Sequence, residues 1–261
     1  MHGRDDIAGA RRTFARERCY ARGMVDALGF ADAERVLEEA TFESCQPVWY
    51  SSNAVYLAQM CAGGEMFGAI YKPGRGERPL WDFPEGLYPR EVAAYRLSQL
   101  LGWQFIPPTI RKDGPEGPGS LQLFIRHNPE EHFFVQRDRA ELVPQLQRMC
   151  VFDLIANNAD RKGGHCLLDG EGRIWGIDHG LCFHEQYKLR SVIWDWAGEP
   201  VADEWVAEVE AAAGAIEEDA ELRELLGTRE MNALTARIGR FCAAKRFPLP
   251  GAERHYPWPL V

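Results

Sequence analysis

The sequence predicts an α+β chain of two lobes, a small antiparallel β lobe carrying one helix, followed by a larger and mainly helical lobe. Three observations carry this expectation: strand-like apolar runs separated by tight turns up to Ile125, a helical apolar period from Arg139 onward, and a Pro/Gly-rich insertion that interrupts the first region without ending it. The 261 residues, 46% of them hydrophobic, suffice for one large or two small cores at about 100 to 200 residues per domain. The expected boundaries are a helical extension over residues 1–45, a β-rich first lobe over 46–130 and a second lobe over 131–261.

Within the first lobe, Val48–Tyr50 and Ala54–Met60 are strand-like, and Gly63-Gly64 turns the chain into Met66–Lys72, so that Lys72 ends a strand of a meander. The insertion Pro73–Gly86 follows. Pro89 is suited to the first turn of a helix that Gly102 closes, and on it Glu91 shares a face with Ala94, Tyr95 and Ser98, which points a carboxylate inward. Gly114–Gly119 is a turn cluster before the strand Leu121–Ile125, and a hinge is expected over residues 126–138. In the second lobe, Leu142, Leu146, Met149 and Cys150 mark a helix that Asn157 and Asn158 end. His165–Leu168 and Arg173–Ile177 flank the turn Asp169–Gly172 and read as a hairpin that delivers Asp178. Helices with Met231, Leu234, Ile238 and Phe241 on one face complete the lobe. Trp81-Asp82 and Trp194-Asp195-Trp196 read as core or lid aromatics.

Composition excludes several classes of function. A net charge of -9 and a pI near 5.4 disfavour a nucleic-acid surface, which needs clustered Lys and Arg, and also docking on anionic lipid. Ten Asp or Glu residues between Glu199 and Glu224, against the single base Arg223, read as a solvated helix face. Seven scattered cysteines suit a reducing cytoplasm, and neither a signal peptide nor a membrane span is expected.

The chemistry concentrates in NNADRKGGHCLLDGEGRIWGIDHGLCF, residues 157–183. His165 lies five residues after Asp160 and Asp178 lies 18 after it (178 − 160), with a hairpin between, which is the arrangement of a protein-kinase catalytic loop and metal motif. Phosphoryl transfer needs a carboxylate to orient the attacking hydroxyl and ligands to hold magnesium against the nucleotide phosphates. Asp160 suits the first role, and Asp178 with His165 the second. Lys162 is placed to offset charge on the transferring group, and Arg161 either joins it or anchors the loop. Upstream, Lys72 on its strand and Glu91 on its helix match the pair that holds nucleotide phosphates in kinases. Ser51, Ser52 and Asn53 are candidates to cradle phosphates through backbone N–H groups, and Gln122, Leu123 and Phe124 lead into the hinge expected against the base.

The segment NADRKGGH…IDHGLCF resembles the catalytic loop and metal motif of the phosphatidylinositol 3- and 4-kinase-like superfamily, which includes type II phosphatidylinositol 4-kinases and HipA-like kinases. Over residues 45–261 the chain is similar to a bacterial, actinobacterial-type branch, through YKPGRGERPLWDFPEGLY, REVAAY, GPGSLQLF and WDWAGEP. The resemblance implies a two-lobed protein-kinase-like fold, and a phosphotransferase that uses ATP and Mg2+ or Mn2+ on a hydroxyl of a protein, lipid or small molecule. Two departures stand out. His165 occupies the place of the usual magnesium-binding Asn, a softer ligand than oxygen, and no Gly-x-Gly phosphate loop is present. These leave two alternatives, a nucleotide-binding pseudokinase acting as an interaction module and a kinase-fold nucleotidyltransferase that transfers AMP.

Overall fold

The structure, a computed structural model, describes residues 24–48, 53–251 and 254–261. Its first lobe is a five-stranded antiparallel sheet in the order β1-β2-β3-β5-β4, built from β1 (Thr41–Pro47), β2 (Tyr56–Ala62), β3 (Glu65–Pro73), β4 (Thr109–Gly114) and β5 (Gly117–Leu123). Alternation along β3 buries Phe67, Ala69 and Tyr71 on one face and turns Gly68, Ile70 and Lys72 to the other. The buried face joins Ala58, Met60, Leu121 and Leu123 to Phe30, Ala33 and Leu37 of helix α1 (Met24–Glu39). Lys112 on β4 reaches the last carbonyls of α1, donating to Leu37 at 3.0 Å and Glu38 at 2.6 Å, where a cation complements the helix end.

β1 begins within the stretch expected as helical extension. Its pairing with β2, from Thr41↔Cys61 to Pro47↔Tyr56, outweighs the charged composition of that stretch. Trp49 and Tyr50, expected in a strand, lie outside the described residues. β4 adds a strand the sequence reading lacked. It pairs with β5 around a turn from Gly114 to Gly117, where φ of +96° at Gly117 favours glycine. A Cβ at Gly119 would come within 2.4 Å of the Lys72 carbonyl oxygen, so this glycine permits the close approach of β5 to the end of β3.

Helix α2 (Leu87–Leu100) starts two residues before Pro89 because a distant carboxylate caps it. Glu77 accepts the backbone N–H groups of Gly86, Leu87 and Tyr88 at 3.1, 2.8 and 2.7 Å. The insertion is thereby fastened to the start of the helix that carries Glu91.

The second lobe contains a short α3 (Phe133–Gln136), α4 (Val143–Ala156), the hairpin β6 (Cys166–Leu168) and β7 (Ile174–Gly176), α5 (Asp203–Glu218) and α6 (Ala220–Ala244). Asn157 ends α4 in the left-handed region, φ 57°, which Asn tolerates better than most residues. Six of the ten acids of this run form the outer face of α5, whose Trp205, Val209 and Ile216 are buried while Asp203, Glu204, Glu208, Glu210, Glu217 and Glu218 are exposed. Helix α6, interrupted at Gly227, packs against α2, α4 and α5. Among the described residues no helix is long and apolar enough to cross a membrane.

Candidate active site

Lys72, Glu91 and Asp178 come from a strand, a helix and a hairpin end and meet between the lobes. Lys72 Nζ donates to Glu91 Oε1 and to Asp178 Oδ1, the latter at 2.9 Å. Burial alone would lower the lysine pKa, but Asp178 and Glu91 outweigh it and hold the ammonium protonated. In return Lys72, then His165, hold the carboxyl of half-exposed Asp178 well below the usual carboxylate range. Asp178 adopts φ 62°, a conformation Asp reaches more readily than most residues.

Beside it, His165 Nε2 lies 3.2 Å from Asp178 Oδ2, while its Nδ1 faces the Lys162 N–H at 3.4 Å. Burial lowers the imidazole pKa to about 4, with Asp178 opposing. The ring is therefore neutral near pH 7, and these contacts assign the proton to Nε2, which donates to Asp178. Asp160 lies on the loop between α4 and β6. Its N–H donates to Asn158 Oδ1 at 2.9 Å and its Oδ2 accepts Lys162 Nζ at 2.6 Å. Burial raises the Asp160 pKa, and Lys162 offsets part of that rise.

Arg161 is not at the cleft. It is fully buried, with Nε and Nη2 on the two oxygens of Asp153 at 2.8 and 2.9 Å, and Nη1 on the carbonyls of His165 and Ile177 at 3.2 and 3.0 Å. Its Nη2 also meets His179 Nε2 at 2.7 Å. A guanidinium with every direction occupied by the protein cannot reach a nucleotide, so Arg161 is the loop anchor. Asp153, which also accepts Asn158 Nδ2 at 2.9 Å, is the residue that sequence reasoning missed. Its signal was an acid inside the apolar run VFDLIA, eight residues before Arg161.

The expected base-contacting residues divide between the two sheet faces. Gln122 pairs with Ile70 and shares its face with Lys72, but its Nε2 donates to Thr109 Oγ1 at 2.8 Å. Leu123 points the other way into the core, the consequence of a two-residue pleat, so its side chain does not reach the cleft. The N–H groups of Leu123 and Phe124 are engaged by Pro108 and Gly68 at 2.9 and 3.1 Å. Ser51 and Ser52 lie outside the described residues, and Asn53 Oδ1 accepts the Arg78 N–H at 3.0 Å, which joins the strand turn to the insertion.

The insertion also reaches the second lobe. Asp82 meets Arg190 at 3.1 Å and Lys188 at 3.8 Å, while Phe83 clusters with Leu87, Ala159 and Leu181. Arg190 is itself knitted to the loop, its N–H donating to Asn158 at 2.9 Å and its carbonyl accepting the Arg161 N–H at 3.0 Å. Asp82 is thus a latch rather than a core residue, and neighbouring Trp81 stands in solvent.

For a divalent cation the chain offers hard oxygen from Asp178. Among the described residues no three His, Cys, Asp or Glu side chains converge into a cage. One carboxylate beside the Lys72 ammonium fits magnesium, which takes one or two protein carboxylates and completes its shell with other oxygens and water. His165 fits as a ligand only in the Nδ1–H tautomer, which frees Nε2.

The two lobes, with these side chains between them, define a kinase-like fold. The phosphatidylinositol 3- and 4-kinase profile matches residues 96–224. The Mycobacterium tuberculosis protein Rv2133c is 36% identical over 266 aligned positions, covering 87% of this chain and 95% of that protein. Phosphatidylinositol 4-kinase gamma 4 of rice is 32% identical over 45% of this chain, which spans 24% of the plant protein's length. The solved structure of hydra Fam20 with sugar superposes with a TM-score of 0.54 at 11% identity, over 84% of this chain and 88% of that one, a likeness of fold alone. The chain belongs to the phosphatidylinositol 3- and 4-kinase-like family.

Proposed function

We propose that the protein is an ATP- and divalent-metal-dependent phosphotransferase acting on a hydroxyl. The observation that supports this reading best is the meeting of Lys72, Glu91 and Asp178 across the lobes, beside the Asp160–Lys162 pair. A bare ion network of this density is costly to maintain between lobes, and it matches what a polyphosphate with its cation requires.

In this reading Lys72 leaves Asp178 for the nucleotide phosphates while Glu91, fixed at its second oxygen by the His179 N–H at 2.9 Å, keeps the lysine oriented. Asp178 would hold the cation, with His165 as a second ligand in its Nδ1–H tautomer. The cation supplies Lewis-acid stabilisation of charge on the phosphates. Asp160 orients the acceptor hydroxyl and takes its proton, and its raised pKa suits a carboxylate that must receive one. Lys162 offsets the negative charge that develops on the transferring group. Arg161 and Asp153 keep the loop in place from beneath.

Incubation with γ-labelled and α-labelled ATP tests the reading. Transfer of the γ label alone is expected. Transfer of the α label identifies a nucleotidyltransferase instead, and nucleotide binding without transfer of either label identifies a pseudokinase.

A further inference from the structure

The insertion Pro73–Gly86 is bonded to three separate parts of the molecule around the cleft. Near its start, the Gly76 carbonyl accepts the Ala54 N–H at 3.1 Å and the Arg78 N–H donates to Asn53 Oδ1 at 3.0 Å, which fastens it to the chain ahead of β2. A Cβ at Gly76 would come within 2.3 Å of the Ala54 Cβ, so glycine permits this approach. Between these bonds, Glu77 accepts three N–H groups at the start of α2, the helix that carries Glu91. Farther on, the Leu80–Phe83 bridge presents Asp82 to Arg190 at 3.1 Å and Lys188 at 3.8 Å, and Phe83 packs beside Ala159, the residue before Asp160.

Arg190 is where this strap meets the catalytic loop. Its N–H donates to the Asn158 carbonyl at 2.9 Å and its carbonyl accepts the Arg161 N–H at 3.0 Å, so its backbone brackets Asp160 from both sides. The pairing continues one step on, where the Val192 N–H donates to the Arg161 carbonyl at 3.1 Å. The Asp82 and Arg190 side chains are only 15% and 22% exposed, so their charge-assisted bond is largely shielded from salt. Asp82 reaches Asp160 through Arg190 rather than directly. A carboxylate that takes a proton from an acceptor hydroxyl must stand within hydrogen-bond reach of it, and a misplacement of about 1 Å can cost roughly a hundredfold in rate.

We propose that Asp82 is a positioning residue for the transfer: through Arg190 it holds the backbone on either side of Asp160 in register with the lobe that carries Lys72 and Glu91. The inference rests on the phosphotransferase reading. Because the same insertion caps α2 through Glu77, the Asp82–Arg190 pair ties the nucleotide side of the cleft to the carboxylate that serves the acceptor. Its loss therefore acts on the chemical step and spares nucleotide binding, which Lys72, Glu91 and Asp178 carry.

The test measures Mg-ATP affinity by titration and γ-label turnover, hydrolysis by water included, in the parent and in variants. Asp82→Ala is expected to lower turnover by about tenfold or more with the Mg-ATP Kd within about threefold. Arg190→Gln breaks the pair from its other end and is expected to show the same split, which carries the test by itself where Asp82→Ala does not fold. Adding Asp82→Ala to Arg190→Gln should cost no more than about twofold further, because the two side chains act as a unit. Trp81→Ala, a change at the exposed neighbour in the same turn, should keep the parental turnover. Parental turnover in Asp82→Ala, an equal loss in Trp81→Ala, or losses that multiply in the double variant overturn the role of Asp82 and leave the phosphotransferase standing. A fall in Mg-ATP affinity as large as the fall in turnover reduces the pair to a structural contact and overturns it as well. A parent that passes no label to water, to itself, to mixed Ser/Thr peptides or to phosphatidylinositol vesicles overturns the phosphotransferase reading and the inference with it.

Discussion

The Glu91 carboxylate accepts the backbone N–H of His179 at 2.9 Å, so the helix that orients Lys72 is tied to the residue that follows Asp178. One carboxylate thus sets both sides of the cleft: its other oxygen carries the lysine. Glu91→Gln keeps the shape and removes the charge. Hydrogen bonds to charged groups contribute about 1.5 to 3 kcal/mol, so Mg-ATP affinity is expected to fall roughly ten- to hundredfold. Isothermal titration reads this, and an unchanged Kd would separate Glu91 from nucleotide binding.

Asp153 is expected to matter for stability. Asp153→Ala strands the fully buried Arg161 guanidinium, and loss of one partner of a buried pair costs about 3 to 5 kcal/mol. Asp138→Ala, on the surface, is the control and should shift unfolding by no more than about 0.5 kcal/mol. Urea unfolding measures both, and equal midpoints would show that the Asp153–Arg161 pair does not hold the loop.

A pH dependence follows from Asp219, which caps α6 through the Leu222 N–H at 2.9 Å and accepts Arg96 at 2.6 Å. Burial pushes its carboxyl pKa up, but the Arg96 bond outweighs this and the net shift is downward. A depressed folded-state pKa stabilises the protein above the unfolded value, near 3.8, and that contribution fades as pH falls through the folded value. Asp219→Asn keeps a good cap and removes the charge. Its stability deficit should be constant above about pH 5 and shrink below about pH 4. A deficit that stays constant down to pH 2 would contradict the assignment.

Metal use turns on Asp178 and His165. Asp178→Asn should abolish the dependence of ATP affinity on magnesium, since the amide cannot supply a charged oxygen. His165→Asn should increase the use of magnesium relative to manganese, because it replaces nitrogen by the harder oxygen donor. Magnesium titrations of ATP binding and turnover decide both, and identical titrations in Asp178→Asn and parent would remove that residue from the metal site.

Lys72, Glu91, Asp160 and Asp178 were legible in the sequence because each stands at a fixed offset within its own strand, helix or hairpin. Arg161 was recognised as important, but its burial depends on Asp153 arriving from beneath, which spacing alone does not reveal. Leu123 shows the limit of reading a strand as a block, since adjacent residues face opposite ways and Gln122, not Leu123, shares the face of Lys72. The Asp82–Arg190 latch joins residues 108 apart, and β4 was hidden by Arg111, Lys112 and Asp113, whose charges mask a half-exposed strand. Trp81 reads from the sequence as a core or lid aromatic, and its 96% exposure removes the core reading.

The central claim is that Asp160 serves the chemical step rather than nucleotide capture, and Asp160→Asn tests it most directly. Mg-ATP affinity and γ-label turnover, including hydrolysis by water, are measured together in parent and variant. The Kd is expected to stay within about threefold, while turnover falls by about 100-fold or more, the scale of general acid-base catalysis. A folded Asp160→Asn protein that turns over ATP at the parental rate would contradict the account.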